Sequence, residues 1–225
     1  MDRFFDLLFS GIALLLLSPL LLPTIIILKL TGEGEVFFLQ ERVGKNGKKF
    51  KLFKFATMLK NSPNIGTGTV TMRGDPRVLP VGRFLRKTKI NELPQLLNIF
   101  IGNMSVIGPR PLTLQTFEAY SQSVQEVITQ VRPGLSGVGS IIFRGEEEIM
   151  HETTASIDFY ENVIAPYKGS LEEWFVSNKN IYIYFIAIFA TLWAVFFPRS
   201  KIAWRVFRDL PDPPEVLKEA LNFID

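Results

Sequence analysis

Six cations, Lys54, Arg73, Arg77, Arg83, Arg86 and Arg110, fall in a stretch nearly free of acids. Residues 41–110 hold 14 Lys/Arg against 3 Asp/Glu, while the rest of the chain holds 11 against 19. Arginine forks bind phosphate bidentately, so this field suits a lipid phosphate, a nucleotide diphosphate or RNA. Composition alone does not choose among them, and any one arginine also reads as a solvated charge or an anionic-lipid contact. Glu92 is nearly alone in that field, with Glu41 and Asp75 as its only fellow acids. A carboxylate among arginines stays ionised, and beside a diphosphate it is a natural ligand for Mg²⁺. The plainer alternative is an ion pair between Glu92 and Arg86. The string GPRP, residues 108–111, constrains the backbone on both sides of Arg110, and it reads either as a rigid turn presenting a guanidinium or as a structural turn with an exposed arginine.

Other chemistries leave the field early. The chain has no cysteine and one histidine, His151, which removes disulfides, thiolate metal sites and a Cys nucleophile and makes His-pair metal sites and a Ser-His-Asp triad poor readings. At 225 residues and 47% hydrophobic content it is long and apolar enough to bury a core. Phe50, Phe53 and Phe55 lie among the lysines at strand spacing, which suits a core more than base stacking, so no nucleic-acid partner is expected.

A membrane segment must carry the cationic field. Residues 4–30, FFDLLFSGIALLLLSPLLLPTIIILKL, would make ~40 Å of helix, more than the ~30 Å hydrocarbon layer demands. The run is too long for a cleaved signal peptide. Ser18-Pro19 and Pro23 interrupt it, where a kink is expected and the Ser18 hydroxyl is placed to bond a freed carbonyl. Arg3 precedes the segment, and Lys29 and then seven Lys/Arg between residues 42 and 60 follow it, so both flanks read as cytoplasmic. A re-entrant helix bent at Ser18-Pro19 satisfies that pattern better than the alternative, a tilted and kinked single span.

Beyond it, residues 36–58 alternate as a β-hairpin broken at Gly44–Gly47, and residues 61–77 have loop composition. Residues 80–101 predict two short helices around a bend at Lys89–Pro94, residues 111–131 a further helix, and RPGLSG (132–137) a turn. Glu146, Glu147 and Glu148 read as a solvated face, followed by a helical segment near Asp158–Tyr167. The uncharged, aromatic-rich run 181–197 is at the short limit for a span and reads rather as an interfacial helix. The tail ends in a short amphipathic helix started by Pro213-Pro214.

Taken in order, SPLLLP, VFFLQERVGKNGKKFKLFKFATM, DPRVLPVGRFLRKTKINELPQLLN, GNMSVIGPRP and VRPGLSG resemble the bacterial sugar transferases that are monotopic phosphoglycosyl transferases, over nearly the whole chain to about residue 197. The resemblance implies an α-rich mixed α/β fold. It implies further that residues 1–32 form a re-entrant membrane helix, residues 33–197 a catalytic body with a small hairpin and short amphipathic interfacial helices around a cytosolic-face active site, and residues 198–225 a tail. It implies transfer of a sugar phosphate from a UDP-sugar to a polyprenyl phosphate with release of UMP and with Mg²⁺ present, at the cytoplasmic face of the bacterial inner membrane. Membrane lipids are expected partners, and a second copy or downstream glycosyltransferases fit as well.

The matching phosphate-binding positions are Lys54, Arg86, Arg110 and, more loosely, Arg144. The family's adjacent Asp-Glu pair corresponds to Asn91 and Glu92, with Glu92 serving the metal or proton transfer. Asn91 stands where the nucleophilic aspartate belongs, and an amide is a poor nucleophile toward phosphorus. Ala56 replaces an arginine in the KFATM string and Asn103 an aspartate in GNMS. Three accounts of Asn91 follow: direct attack by the lipid phosphate, Glu92 as the nucleophile, or a catalytically silent membrane scaffold that binds lipid or nucleotide sugar.

Overall fold

The N-terminal apolar run folds as one helix, α1 (Asp2–Leu30), in a computed structural model that describes residues 2–65, 75–144, 159–197 and 200–223. Among the described residues it is the one helix long and apolar enough to cross a membrane. Pro19 and Pro23 both lie inside it without ending it. Pro19 has no N–H to give the carbonyl one turn back, that of Leu15, and the Ser18 hydroxyl donates to that oxygen instead, at 2.7 Å. Such local repair is what permits proline in a helix that water does not reach. Leu15, Leu16, Leu22 and Ile26 face outward.

The expected hairpin is present as β1 (Phe37–Val43) and β2 (Lys49–Phe55), a two-stranded sheet. A connection this short can only reverse the chain. Asn46 and Gly47 reverse it with φ of 58° and 70°, a conformation that asparagine and glycine tolerate.

By contacts the chain forms two compact units: Met1–Asp6, Arg42–Phe50 and Gly102–Asp225 in the larger, and Leu7–Glu41 and Lys51–Ile101 in the smaller. In the smaller unit, α2 (Pro80–Lys87) begins on Pro80, whose missing N–H costs nothing at a helix start. Leu85 of α2 packs with Leu28 and Phe55, flanked by Leu21, Ile25 and Ile90. A Cβ at Gly82 would lie 2.1 Å from the Thr57 carbonyl oxygen, so glycine lets α2 rest on the chain leaving β2. A 3₁₀ turn, Ile90–Glu92, follows, then α3 (Gln95–Ile101). The wholly buried Asn98 ties α3 to β2, accepting from the Phe53 N–H at 2.9 Å and donating to the Lys51 carbonyl at 2.8 Å. Only the ends of the expected loop 61–77 are described, and Arg73 lies outside the described residues.

The larger unit departs from expectation in two places. Residues 111–131 hold two helices, α4 (Leu114–Glu118) and α5 (Gln122–Ile128), because the hydroxyls of Thr113 and Ser121 each cap a new N-terminus. The segment expected as a turn contains β4 (Gly134–Ser136), which pairs in parallel with β3 (Ser105–Ile107) in the register Ser105 to Gly134 and Ile107 to Ser136. After α6 (Val138–Ile142), the helical segment expected near Asp158–Tyr167 is described from residue 159, where a π turn, Tyr160–Ile164, leads into the longer α7 (Ala165–Asn178). The acidic triplet Glu146–Glu148 and His151 lie outside the described residues.

Residues 181–197 form α8 (Ile181–Phe196), capped by Asn180. Its Ala187, Ala190 and Ala194 are buried, and Phe185, Phe189, Leu192 and Phe196 point outward. Asp6 of α1 is fully buried in this unit and accepts from the Ser105 hydroxyl, the Val106 N–H and the Tyr184 hydroxyl, each at 2.9 Å. The tail carries α9 (Ile202–Val206) and the expected last helix, α10 (Glu215–Lys218). It is no loose end, since Phe207 and Leu217 are buried and Tyr167 donates to the Pro211 carbonyl at 2.9 Å.

Candidate active site

Lys89 turns the chain from α2 into the 3₁₀ turn with φ of 59°, a left-handed conformation that is uncommon for a side chain of its kind. The turn then closes through the Glu92 N–H to the Lys89 carbonyl and the Leu93 N–H to the Ile90 carbonyl, both at 3.1 Å. This places Asn91 inward at 8% exposure, with its amide oxygen buried and without a hydrogen-bond partner among the described residues. An unsatisfied polar atom costs about 1–3 kcal/mol, so its retention at this turn marks the position as one shaped for something other than stability.

Glu92 points the other way. Its carboxylate lies 3.7 Å from the Lys54 ammonium, with the two side chains 39% and 22% exposed. Lys54 is held on β2 by the same strand that Asn98 grips at Phe53 and Lys51. Glu92 therefore pairs with Lys54, while Arg86 of α2 turns its guanidinium toward the Met58 sulfur at 3.9 Å. The arginines do not contribute alike. Arg77 is buried against Asp75 and donates to the carbonyls of Ser62 at 2.7 Å and Ile65 at 2.8 Å, which makes it the organiser of its loop rather than a phosphate ligand. Arg83 is exposed on α2. Ala56, where the family string has an arginine, is buried just after β2.

Lys54, Arg86, Asn91 and Glu92 belong to the smaller unit, and Arg110 and Arg144 to the larger. Arg110 is exposed on the turn after β3, and its neighbours are pinned on both sides. The Pro109 carbonyl accepts from the Gly134 N–H at 2.8 Å, the Pro111 carbonyl from Arg42 at 3.0 Å, and the Leu112 carbonyl from the Val43 N–H at 3.0 Å. A Cβ at Gly134 would sit 2.1 Å from the Gly108 nitrogen and one at Gly137 2.2 Å from the Gly108 oxygen, so the RPGLSG segment is glycine-rich in order to press against GPRP. Arg144 is exposed just beyond α6, at the end of a described stretch.

Beneath Arg110 lies a carboxylate that sequence reasoning passes over, that of Glu172 on α7. It accepts the Arg110 backbone N–H at 3.4 Å and is fully buried, and burial pushes its carboxyl up to about 7 against the pull of Arg110 and Lys168. With Lys168 one turn before it, Glu172 looks in sequence like an ordinary surface pair at helical spacing.

Among the described residues, no group of three or more His, Asp or Glu side chains is placed to hold a metal. The Glu92 carboxylate is an exposed hard oxygen donor beside Lys54, whereas the Asn91 amide oxygen is buried on the inner side of the turn. A lone carboxylate fits Mg²⁺ in its usual manner, bound by one or two carboxylates together with substrate phosphates and water, and does not fit an all-protein cage.

Comparison with known proteins adds the lineage. Residues 1–198 match the family described as bacterial sugar transferase. The chain is 34% identical over 213 residues to the exopolysaccharide production protein ExoY of Rhizobium meliloti strain 1021, covering 88% of this chain and 87% of that protein. It is 37% identical over 157 residues to the UDP-glucose:undecaprenyl-phosphate glucose-1-phosphate transferase of Escherichia coli K12, covering 68% of this chain and 34% of that one. A third relative, the UDP-N-acetylgalactosamine-undecaprenyl-phosphate N-acetylgalactosaminephosphotransferase of Aeromonas hydrophila, is 34% identical over 84% of this chain and 42% of its own length. A motif order running from SPLLLP to RPGLSG and a family match over most of the chain agree: this protein belongs to the bacterial sugar transferase family.

Proposed function

We propose that this chain transfers a sugar-1-phosphate from a UDP-sugar to a polyprenyl phosphate at the cytoplasmic face of the bacterial inner membrane. An oxygen of the lipid phosphate attacks the β-phosphorus of the donor. The bond from that phosphorus to the bridging oxygen breaks, and UMP leaves with the bonding electron pair. The names of the Escherichia coli and Aeromonas relatives support the donor and acceptor classes. The observation that carries the reading is the Asn91–Glu92 turn, where an amide with no partner is tucked inward and a carboxylate is presented outward beside Lys54.

With an amide in place of a nucleophilic carboxylate, the reaction runs by direct displacement and catalysis reduces to positioning and charge. Lys54 draws donor phosphate oxygens toward Glu92. In the smaller unit Arg86 neutralises phosphate charge, and in the larger unit Arg110 and, more loosely, Arg144 are suited to bind phosphate. Glu92 would hold Mg²⁺ together with substrate phosphates, and the ion would supply charge neutralisation on the diphosphate. The apolar α1 and the outward aromatic face of α8 anchor the chain in the layer where a lipid carrier travels. In this reading α1 is re-entrant, with both ends in the cytoplasm.

Purified protein in lipid nanodiscs, given a panel of UDP-sugars, undecaprenyl phosphate and Mg²⁺, is expected to release UMP with one donor. Release requires acceptor, with no UMP burst in its absence. Glu92→Gln lowers the rate about 100-fold, and Asn91→Asp changes it less than about threefold. No UMP from any donor would leave a silent scaffold. A stoichiometric burst without acceptor would make Glu92 a covalent nucleophile, and a gain of about tenfold or more in Asn91→Asp would show that the displacement wants the carboxylate back.

A further inference from the structure

The Glu172 carboxylate is 2% exposed, and while one oxygen receives the Arg110 N–H, the other is buried with no hydrogen-bond partner among the described residues. Its place is created by Gly139 on α6, where a Cβ would meet the nearer oxygen at 2.6 Å. Lys168, also buried, lies one helical turn before it on α7 and carries its ammonium 5.3 Å above the Phe143 ring. Among the described residues the charges that act on the carboxylate are Lys168 on its own helix and Arg110 on the turn after β3. The other elements packed on α7 add none: α6 has no titratable side chain, Glu126 of α5 and Glu161 of the π turn are exposed, and the tail, which meets α7 at Phe207 and Pro211, brings no charge that acts on the carboxylate.

We propose that Glu172 is a positioning residue for Arg110, gripping the backbone of the GPRP turn from inside the fold so that the guanidinium is aimed at substrate phosphate. This rests on the reading of Arg110 as a phosphate ligand. A buried carboxylate is costly and an apolar side chain would fill the same space. What a carboxylate adds is a strong acceptor under a backbone N–H and a negative charge under a guanidinium. With its carboxyl pushed up to about 7 by burial, Glu172 ionises across the neutral range, and the grip on Arg110 tightens as it does.

The test uses the full chain in nanodiscs, with UDP and undecaprenyl phosphate as separate probes, binding being measured at pH about 6 and about 8. Arg110→Ala is expected to weaken at least one probe. For that probe the wild-type gain in affinity between the two pH values is expected to exceed that of Glu172→Gln by about five- to tenfold, since the probe's own ionisation is common to both proteins. If Arg110→Ala weakens neither probe, the phosphate reading of Arg110 falls and this proposal with it. If it weakens one while Glu172→Gln keeps the wild-type pH response, Glu172 alone is overturned. Should Glu172→Gln fail to fold, the wild-type protein still decides: the Arg110 amide resonance is expected to titrate with a midpoint near 7, and an amide indifferent to pH overturns the proposal.

Discussion

At the scale of single residues, the chain keeps two polar groups where stability alone would not. The Asn91 amide oxygen and the second oxygen of Glu172 are both buried without hydrogen-bond partners among the described residues. For Glu172 the consequence can be signed. Its carboxyl is raised in the folded state from 4.5 to about 7, so between those values the native protein holds a proton that the unfolded chain has lost, and stability falls as pH rises through that window. The full penalty, about 3 kcal/mol, applies above neutrality. Glu172→Gln removes it, and the variant is expected to match the wild type in thermal midpoint at pH about 4 and to exceed it by several degrees at pH about 8. A midpoint difference that does not grow with pH would mean the carboxyl titrates normally. Residue-level legibility was uneven for the same reason. Glu92 was visible because an acid in a cationic field stands out in a list of letters, whereas Glu172 and Lys168 acquire meaning only once burial is known.

At the scale of elements, the joints are made by side chains that cross between distant stretches of sequence. Asp6 is one such joint: a single carboxylate takes three donors, two from β3 and one from α8, and so pins the first turn of α1 within the larger unit. Asp6→Ala would leave the Ser105 hydroxyl, the Val106 N–H and the Tyr184 hydroxyl buried without that acceptor, each at about 1–3 kcal/mol. The expected result is a drop of about 3 kcal/mol or more in unfolding free energy, with Asp6→Asn recovering about half. Denaturation in mild detergent measures it, and an unchanged midpoint for Asp6→Ala would show that these donors find other partners. The hairpin and the helices flanking the Asn91–Glu92 turn could be read from sequence because each carries its own period. The β3–β4 pair could not, since strands of three residues are too short to alternate. Glycine misled there too. RPGLSG has the composition of a turn, yet Gly134 and Gly137 serve close backbone packing against Gly108.

At the scale of the whole molecule, the question is where the two ends of α1 stand with respect to the bilayer. A straight helix of 29 residues reaches ~43 Å and would clear a ~30 Å hydrocarbon layer. The charges argue against that arrangement, since Arg3 lies before the apolar run and Lys29 and the hairpin lysines after it, and moving either group across costs more than leaving both inside. Two prolines four residues apart supply bending points, and the Ser18 hydroxyl bonding back to Leu15 satisfies the carbonyl that Pro19 frees. The absence of native cysteine makes the matter measurable, because any introduced thiol is the only one to report. Asp2→Cys gives up a partly exposed ion pair with Lys179, worth little, and Lys48→Cys sits exposed in the hairpin connection. Both are expected to resist a membrane-impermeant maleimide in spheroplasts and to label fully in inverted vesicles. Labelling of Asp2→Cys from outside, with Lys48→Cys protected, would make α1 a simple span and would separate the amino terminus from the compartment that holds the nucleotide sugar.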